Sequence, residues 1–321
     1  MIDAAIVGLG RWGKTLVEAV QGKSDKIRFT RAVSRDPTQH RDFLETHHLR
    51  AGTFAETLAD KSIKAVVLAT PHTQHVDEVI AAAGAGKHVF CEKPLALTRD
   101  GTARAIGACR DAGVVLGIGT DKRYFPAIAE VIRRADSGEL GPLIHIEGNF
   151  SNEVAAGFTA WRGSSEETPA GGMTGTGIHV LDAMMRIAGP VDRVHARLLS
   201  LKPGPDPWDS LSVLLEFASG VGGTLACVRS TPTFLRLHAF GRNGSAEAVN
   251  RHEIVIRRSG MGLSRIKLPG ADSVRVNLEA FADAVSGAAP YPVSPDQIAA
   301  VTNTFVAIAD AVRTGVATQQ V

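Results

Sequence analysis

The chain has 321 residues, 44% of them hydrophobic, with 35 basic and 33 acidic side chains and a net charge of +2. That length and apolar content suit two domains with a large buried core, and a near-neutral balance without a long basic block or an interleaved aromatic run excludes nucleic acid as a partner. No apolar stretch approaches the roughly 20 residues of a membrane span, no signal-type segment opens the chain, and Cys91, Cys109 and Cys227 lack CxxC or paired zinc-ligand spacing, so the sequence predicts a cytoplasmic protein in a reducing compartment.

Ala4 to Val7 form an apolar run suited to a buried strand, and Lys14 to Gln21 carry Leu16, Val17 and Val20 at helical spacing before Gly22. Between them stand Gly8, Leu9, Gly10, Arg11, Trp12 and Gly13, a GxGxxG turn in strand-turn-helix context. There Gly8 permits a tight turn, Gly10 lets the backbone approach a pyrophosphate and Gly13 allows close helix-strand packing, with Arg11 and Trp12 at the helix start where the anion arrives. The turn predicts a dinucleotide cofactor.

Further apolar runs at 27–33, 65–69, 88–91 and 114–118 alternate with helical stretches near 38–48, 75–85 and 99–112. This βαβα order predicts an N-terminal Rossmann domain over 1–120, a doubly wound parallel sheet with its ligand crevice at the C-terminal ends of the strands. Each strand end then contributes candidates. Ser34 and Arg35 follow the second run, where an arginine accommodates the NADP phosphate, although Asp36 just beyond can reach a ribose and favour NAD. Thr70, Pro71, His72 and His75 follow the next; His75 can instead fill the helix start, and without companion ligands the two histidines predict no metal site. The strand ending at Cys91 runs into Glu92, Lys93 and Pro94. A lysine partly desolvated beside a dinucleotide has a lowered pKa and can exchange protons with a substrate hydroxyl or carbonyl.

From Leu143 the pattern changes, with strand-like runs at 143–150, 192–201, 210–218, 221–230, 234–241 and 252–258. These predict a C-terminal α+β domain over 121–321 with a large open, mainly antiparallel sheet for substrate binding and oligomerisation. A Gly-rich polar insert at 151–177 holds Trp161 and Arg162, suited either to closing over a nicotinamide or to anchoring the loop. An apolar helix follows near 178–187, where His179 and Asp182 share a face as a site edge or as local packing. A last helical pattern at 295–314 is expected to pack back on the first domain.

The blocks GLGRWG at 8–13, ATPHTQH at 69–75, GKHVFCEKPLALT at 86–98, WR at 161–162 and GTGIHVLD at 175–182 give the chain, over nearly its whole length, a resemblance to the glucose-fructose oxidoreductase, inositol dehydrogenase and rhizopine-catabolism family. The segment HAFGRNGSAEA at 238–248 is similar to that family's late strand-turn-strand, and Asp121-Lys122-Arg123-Tyr124 resembles its polar-Arg-aromatic junction, which places Arg123 near the cofactor. The resemblance implies a Rossmann domain bound to NAD or NADP and hydride transfer on sugars, polyols or related hydroxyl compounds. It makes Lys93 the lysine of the EKP motif and His179 the active-site histidine. It also exposes a departure: the family's commonest pattern has an aspartate four residues before this histidine, where this chain has Gly175. Asp182, or the loop acids Glu166 and Glu167, are the candidates to supply the missing carboxylate.

The combined expectation is an oxidoreductase that prefers NADP, with NAD as the alternative, and interconverts a hydroxyl and a carbonyl on a sugar, cyclitol or similar polar small molecule. Lys93 exchanges the proton, His179 orients the reacting oxygen, and Trp161 and Asp182 complete the substrate contacts. Homodimers or homotetramers are expected because the late sheet has more faces than the few late helices cover. The rivals are a non-catalytic NADP-binding sensor or scaffold and an enzyme that cycles a tightly held NAD internally.

Overall fold

In the computed structural model, which describes residues 1–152, 164, 166–200, 210–229, 231–316 and 318–321, alternate residues of the first strand part to opposite sides of a sheet. Ala4 and Ile6 join one apolar cluster with Leu16, Val20, Phe29 and Phe90, while Ala5 and Val7 join another with Val66, Leu68, Val79 and Cys109. A strand buried on both faces has no polar face to show, so its sequence reads as a continuous apolar run.

Six parallel strands make this sheet: β1 (Ile2–Val7), β2 (Ile27–Val33), β3 (Arg50–Gly52), β4 (Ala65–Leu68), β5 (His88–Cys91) and β6 (Leu116–Ile118), in the order β3-β2-β1-β4-β5-β6. The helices between them are α1 (Arg11–Val20), α2 (Arg41–Thr46), α3 (Phe54–Ala59), α4 (His75–Gly84) and α5 (Arg99–Asp111). The strand order reverses at β1 and β4, so a ligand crevice belongs at their C-terminal ends. β3 and α3 have no counterpart among the expected elements. β3 is a three-residue edge strand whose Arg50 and Ala51 are exposed, so it carries no apolar run to find.

The chain divides into two compact units, one of residues Met1–Thr120 with Asp272–Ala299, the other of Asp121–Ala271 with Ala300–Val321. The segment that returns to the first unit is therefore α8 (Ser273–Ser286) with the first turn of α9 (Pro295–Thr314), not the C-terminal helix as a whole. Asp272 caps α8 by accepting from the Arg275 N–H at 3.1 Å, and Gly287 ends it in the left-handed conformation. Leu278, Phe281 and Ala282 enter the first cluster, with the Phe281 ring 5.6 Å from that of Phe90. Asn277 and Tyr291 both donate to the Ile118 carbonyl, each at 3.0 Å, and so fix the end of β6.

The second unit holds α6 (Pro126–Asp136), β7 (Leu143–Ser151), α7 (Ile178–Ala188), β8 (Val191–Leu199), β9 (Ser210–Phe217), β10 (Gly222–Val228), β11 (Phe234–Gly241), β12 (Gly244–Ala248), β13 (Glu253–Arg258), β14 (Ser264–Lys267) and β15 (Thr318–Gln320). Its nine strands run in the order β14-β13-β12-β11-β7-β10-β9-β8-β15, antiparallel except where β10 lies parallel to β7. The helices α6 and α7 cover one face of this sheet. At Gly148 of β7 an added Cβ would lie 2.5 Å from the Val180 side chain, so a residue without one lets α7 lie close on the sheet. Among the described residues no helix is long and apolar enough to cross a membrane.

Candidate active site

Two of the three motif glycines are demanded by the protein itself, and the third is not. Gly8 has φ +94°, and a Cβ there would lie 2.5 Å from the Ala69 carbonyl oxygen; at Gly13 it would lie 1.9 Å from the Gly8 carbonyl oxygen. At Gly10 nothing stands within 4 Å. Gly10 caps α1 with no side-chain hydrogen bond, and the first turn of α1 holds no acidic residue. A helix start of this kind presents backbone N–H groups and the positive end of the helix dipole to an anion. The open space at Gly10 is thus a cradle that suits a pyrophosphate. Arg11 at the helix start is exposed, whereas Trp12 packs on the first unit's core.

Ser34 and Arg35 follow β2 as expected of a strand-end loop, with Arg35 exposed. Asp36, the rival residue, is engaged elsewhere. One oxygen accepts from the Thr38 N–H at 3.0 Å and the Thr38 hydroxyl at 2.5 Å, the other from the Gln39 amide at 2.8 Å, capping a 3-10 turn over Pro37–His40. The Thr38 hydroxyl first, and the Gln39 amide second, hold its carboxyl below the usual range.

At the end of β4 the polar side chains turn inward. The Thr70 hydroxyl donates to Glu78 at 2.5 Å, and burial pushes the Glu78 carboxyl up against the opposing effect of that bond. Pro71 opens a 3-10 turn over His72–Gln74, and the half-buried His72 ring meets that of His75 edge-on at 5.6 Å. His75 is fully buried, its Nδ1 2.8 Å from the Pro94 carbonyl oxygen and its Nε2 3.1 Å from that of Thr70. Its ring laces two strand-end turns together, the alternative expected of it as a residue that fills the helix start. Glu92 is buried with its carboxylate against Gly119, where an added Cβ would lie 2.3 Å from Oε1. Lys93 and Pro94, joined by a cis peptide, follow directly at the end of β5, and Lys93 is half-buried.

The second unit contributes a compact polar cluster. A 3-10 turn over Asp121–Tyr124 faces α7, which follows a π-helical turn over Met173–Gly177. The Arg123 guanidinium grips Asp182 through Nε at 2.8 Å and Nη2 at 2.5 Å, with side chains only 7% and 2% exposed. These two were expected at the cofactor and the substrate respectively, and here they meet in a fork-to-fork pair that engages both carboxylate oxygens. His179, in the first turn of α7, is buried with Nδ1 3.9 Å from Asp121 Oδ1. The other oxygen of Asp121 receives Lys122 Nζ at 2.6 Å, and Lys122 also lies 5.2 Å over the Phe125 ring. The Phe150 ring stands 6.4 Å from that of His179. Burial, partly offset by Arg123, pushes the Tyr124 phenol up.

Gly175 is exposed within the π-turn, and a Cβ built there meets no described residue within 4 Å. Of the candidate substitutes for its missing acid, Glu166 is exposed, Glu167 is buried and Asp182 is held by Arg123. In the sequence Asp121 is visible only as part of a junction pattern, and its approach to His179 depends on how the segment after β6 meets α7. Trp161 and Arg162 lie outside the described residues.

Residues 2–120 match the family described as "Oxidoreductase family, NAD-binding Rossmann fold", and residues 128–247 match the "GFO/IDH/MocA C-terminal domain". The chain is 30% identical over 277 residues to D-xylose 1-dehydrogenase (NADP(+)) 2 of Haloferax volcanii, covering 84% of each. It is also 30% identical over 282 residues to scyllo-inositol 2-dehydrogenase (NAD(+)) of Bacillus subtilis, covering 82% of this chain and 78% of that one. In fold it is similar to a levoglucosan dehydrogenase solved with NADH and levoglucosan, with a TM-score of 0.87 at 20% identity over 100% of this chain and 99% of that one. An aldose-aldose oxidoreductase of Caulobacter crescentus, complexed with glycerol, gives 0.88 at 22% identity over 100% and 99%.

Proposed function

We infer that the chain, which belongs to the Gfo/Idh/MocA oxidoreductase family, is an NAD(P)-dependent dehydrogenase acting on CH–OH groups of a sugar, a cyclitol or a similarly polar compound. The observation that carries this reading is the turn at Gly8, Gly10 and Gly13, where the space beside Gly10 opens onto the uncapped start of α1. The nicotinamide supplies the hydride chemistry when bound. Gly10 and the first N–H groups of α1 would hold its pyrophosphate. Lys93, at the end of β5, takes the hydroxyl proton as the alcohol is oxidised and returns it in the reverse direction. His179 orients the reacting oxygen.

NADP is the proposed cofactor, with Ser34 donating to the 2'-phosphate and Arg35 pairing with it. The capping bonds of Asp36 support this choice, since they engage the carboxylate that would otherwise favour an unphosphorylated ribose. Arg35→Ala should weaken NADP binding and spare NAD; tighter NAD binding by the native chain would refute the preference.

We extend the proposal to a homodimer or homotetramer assembled through the face of the nine-stranded sheet turned away from α6 and α7. That face exposes Leu214 and Phe234, 47% and 49% accessible, beside Glu147 and Arg236. A monomer mass by light scattering at micromolar concentration would count against it. The activity itself is tested by a turnover screen of sugars, cyclitols and dihydrodiols with both nucleotides, followed at the nicotinamide absorbance. No net reduction or oxidation with any of them would overturn the dehydrogenase reading.

A further inference from the structure

Two acids of the described residues lie in the buried cluster around His179, and they are placed differently. Asp182 lies one turn along α7 from the histidine, yet both its oxygens are held by Arg123. Asp121 has one oxygen on Lys122 at 2.6 Å and turns the other to the histidine ring, 3.9 Å from Nδ1. Both members of this second pair are buried, with side chains 4% exposed.

We propose that Asp121 is the positioning residue for His179: its carboxylate keeps the ring proton on Nδ1 and so leaves Nε2 as the atom that meets the reacting oxygen. This rests on the dehydrogenase reading above, in which His179 orients that oxygen. The two ring nitrogens of a neutral histidine differ, and the hydrogen bond made by one decides the role of the other. A carboxylate accepts only, so the nitrogen facing it carries the proton. The 3.9 Å separation closes to hydrogen-bond length with about 1 Å of movement, and hydrogen bonds between catalytic groups commonly tighten when substrate binds. Lys122 contributes by holding the other oxygen at 2.6 Å, so that the carboxylate cannot swing away from the ring. Asp182 and Arg123 set the far side of the same turn of α7 and neutralise each other.

The test is the tautomer of His179 in the full chain labelled with 15N-histidine and loaded with NADP, at a pH where the ring is neutral, with its signals assigned by their loss in His179→Gln. The native ring should carry its proton on Nδ1. In Asp121→Asn the amide can donate to Nδ1, so the proton should move to Nε2, with kcat falling roughly 10- to 100-fold while KM changes less than about threefold. A native ring protonated on Nε2 overturns the proposal, as does an Asp121→Asn ring that keeps its tautomer or a variant that changes KM alone. Should that variant not fold, the native spectrum decides. If the chain turns over none of the screened compounds, the dehydrogenase reading fails while the ring spectra still settle the role of Asp121.

Discussion

The three motif glycines should separate under substitution by alanine, because one is open to ligand and two are closed by protein. Gly10 has φ −66° and ψ 179°, which alanine adopts freely, and no atom lies within 4 Å of the new methyl. Alanine is a poorer helix cap than glycine by up to about 1 kcal/mol, and stiffening the unfolded chain returns about 0.4–1 kcal/mol. Gly10→Ala should therefore melt within roughly 2 °C of the native chain. On the proposed binding mode, however, its methyl stands where the pyrophosphate would meet the helix start, and losing one charge-assisted hydrogen bond of about 1.5–3 kcal/mol should weaken NADP roughly 10- to 150-fold. Gly13→Ala is the opposite case, since its Cβ falls 1.9 Å from the Gly8 carbonyl oxygen. Gly8 cannot retreat: its N–H bonds the Val33 carbonyl at 2.9 Å. Overpacking of that kind costs about 1–3 kcal/mol or more, a fall in melting temperature of roughly 2–12 °C. Melting without added nucleotide separates stability from ligand linkage, and calorimetric titration with NADP gives the affinity. A Gly10→Ala chain that binds NADP normally, or a Gly13→Ala chain as stable as the native one, would refute the reasoning.

Four further outcomes are expected. Lys93→Met should lower kcat roughly 10²- to 10⁴-fold with NADP affinity nearly intact; near-normal turnover removes Lys93 from the chemistry. Asp182→Ala leaves the Arg123 guanidinium buried without its carboxylate and should cost about 3–5 kcal/mol, much of it recovered when Arg123→Met is added; a chain of native stability with raised KM would make Asp182 a substrate ligand instead. Gly175→Asp meets no described residue with its Cβ, so it should fold normally while changing kcat/KM on the native substrate; unchanged kinetics would place the π-turn away from the substrate. His238 is held down to about 4 from 6.5, chiefly by burial, so it stays neutral in the fold and charges first in the unfolded chain. Its contribution to stability is complete above about pH 6.5 and is lost as pH falls toward 4, and a melting series for His238→Gln should lack that part of the acid slope.

Much of the fold could be read from the chain because burial writes itself into sequence in two different ways. The strands of the first sheet are covered on both faces and read as unbroken apolar runs, whereas β9 of the second sheet alternates buried and exposed residues along its length. Among the elements without a counterpart, α6 does bury Ala127, Ile128 and Val131, whereas the edge strands have little to bury and little room to repeat. β14 and β15 are short strands at the two ends of the nine-stranded sheet, and β3 lies at the edge of the other. α8 is a different matter, since its signals were present: Asp272 as cap, Gly287 at its end, and Val274, Leu278, Phe281 and Val285 at helical spacing. The parallel pairing of β7 with β10 is set by topology, to which residue type is blind.

The site divides along the same line. A glycine turn and a lysine at a strand end are legible because backbone sterics and strand direction, both local, fix what they can do. Arg123 and Asp182 are 59 residues apart, and neither residue announces that its charge will be spent on the other. Once that pair forms, the acid nearest His179 along α7 is no longer available to stand in for the one absent at Gly175, and the π-turn itself, Met173 to Gly177, carries no charged side chain. Among the described residues, Asp121 turns a carboxylate oxygen toward the ring, fixed by Lys122 and brought there because the segment after β6 folds against α7. On the proposed reading, the negative charge beside His179 is kept while its place in the sequence moves, because the ring responds to the distance and direction of a carboxylate and not to the strand or helix that carries it.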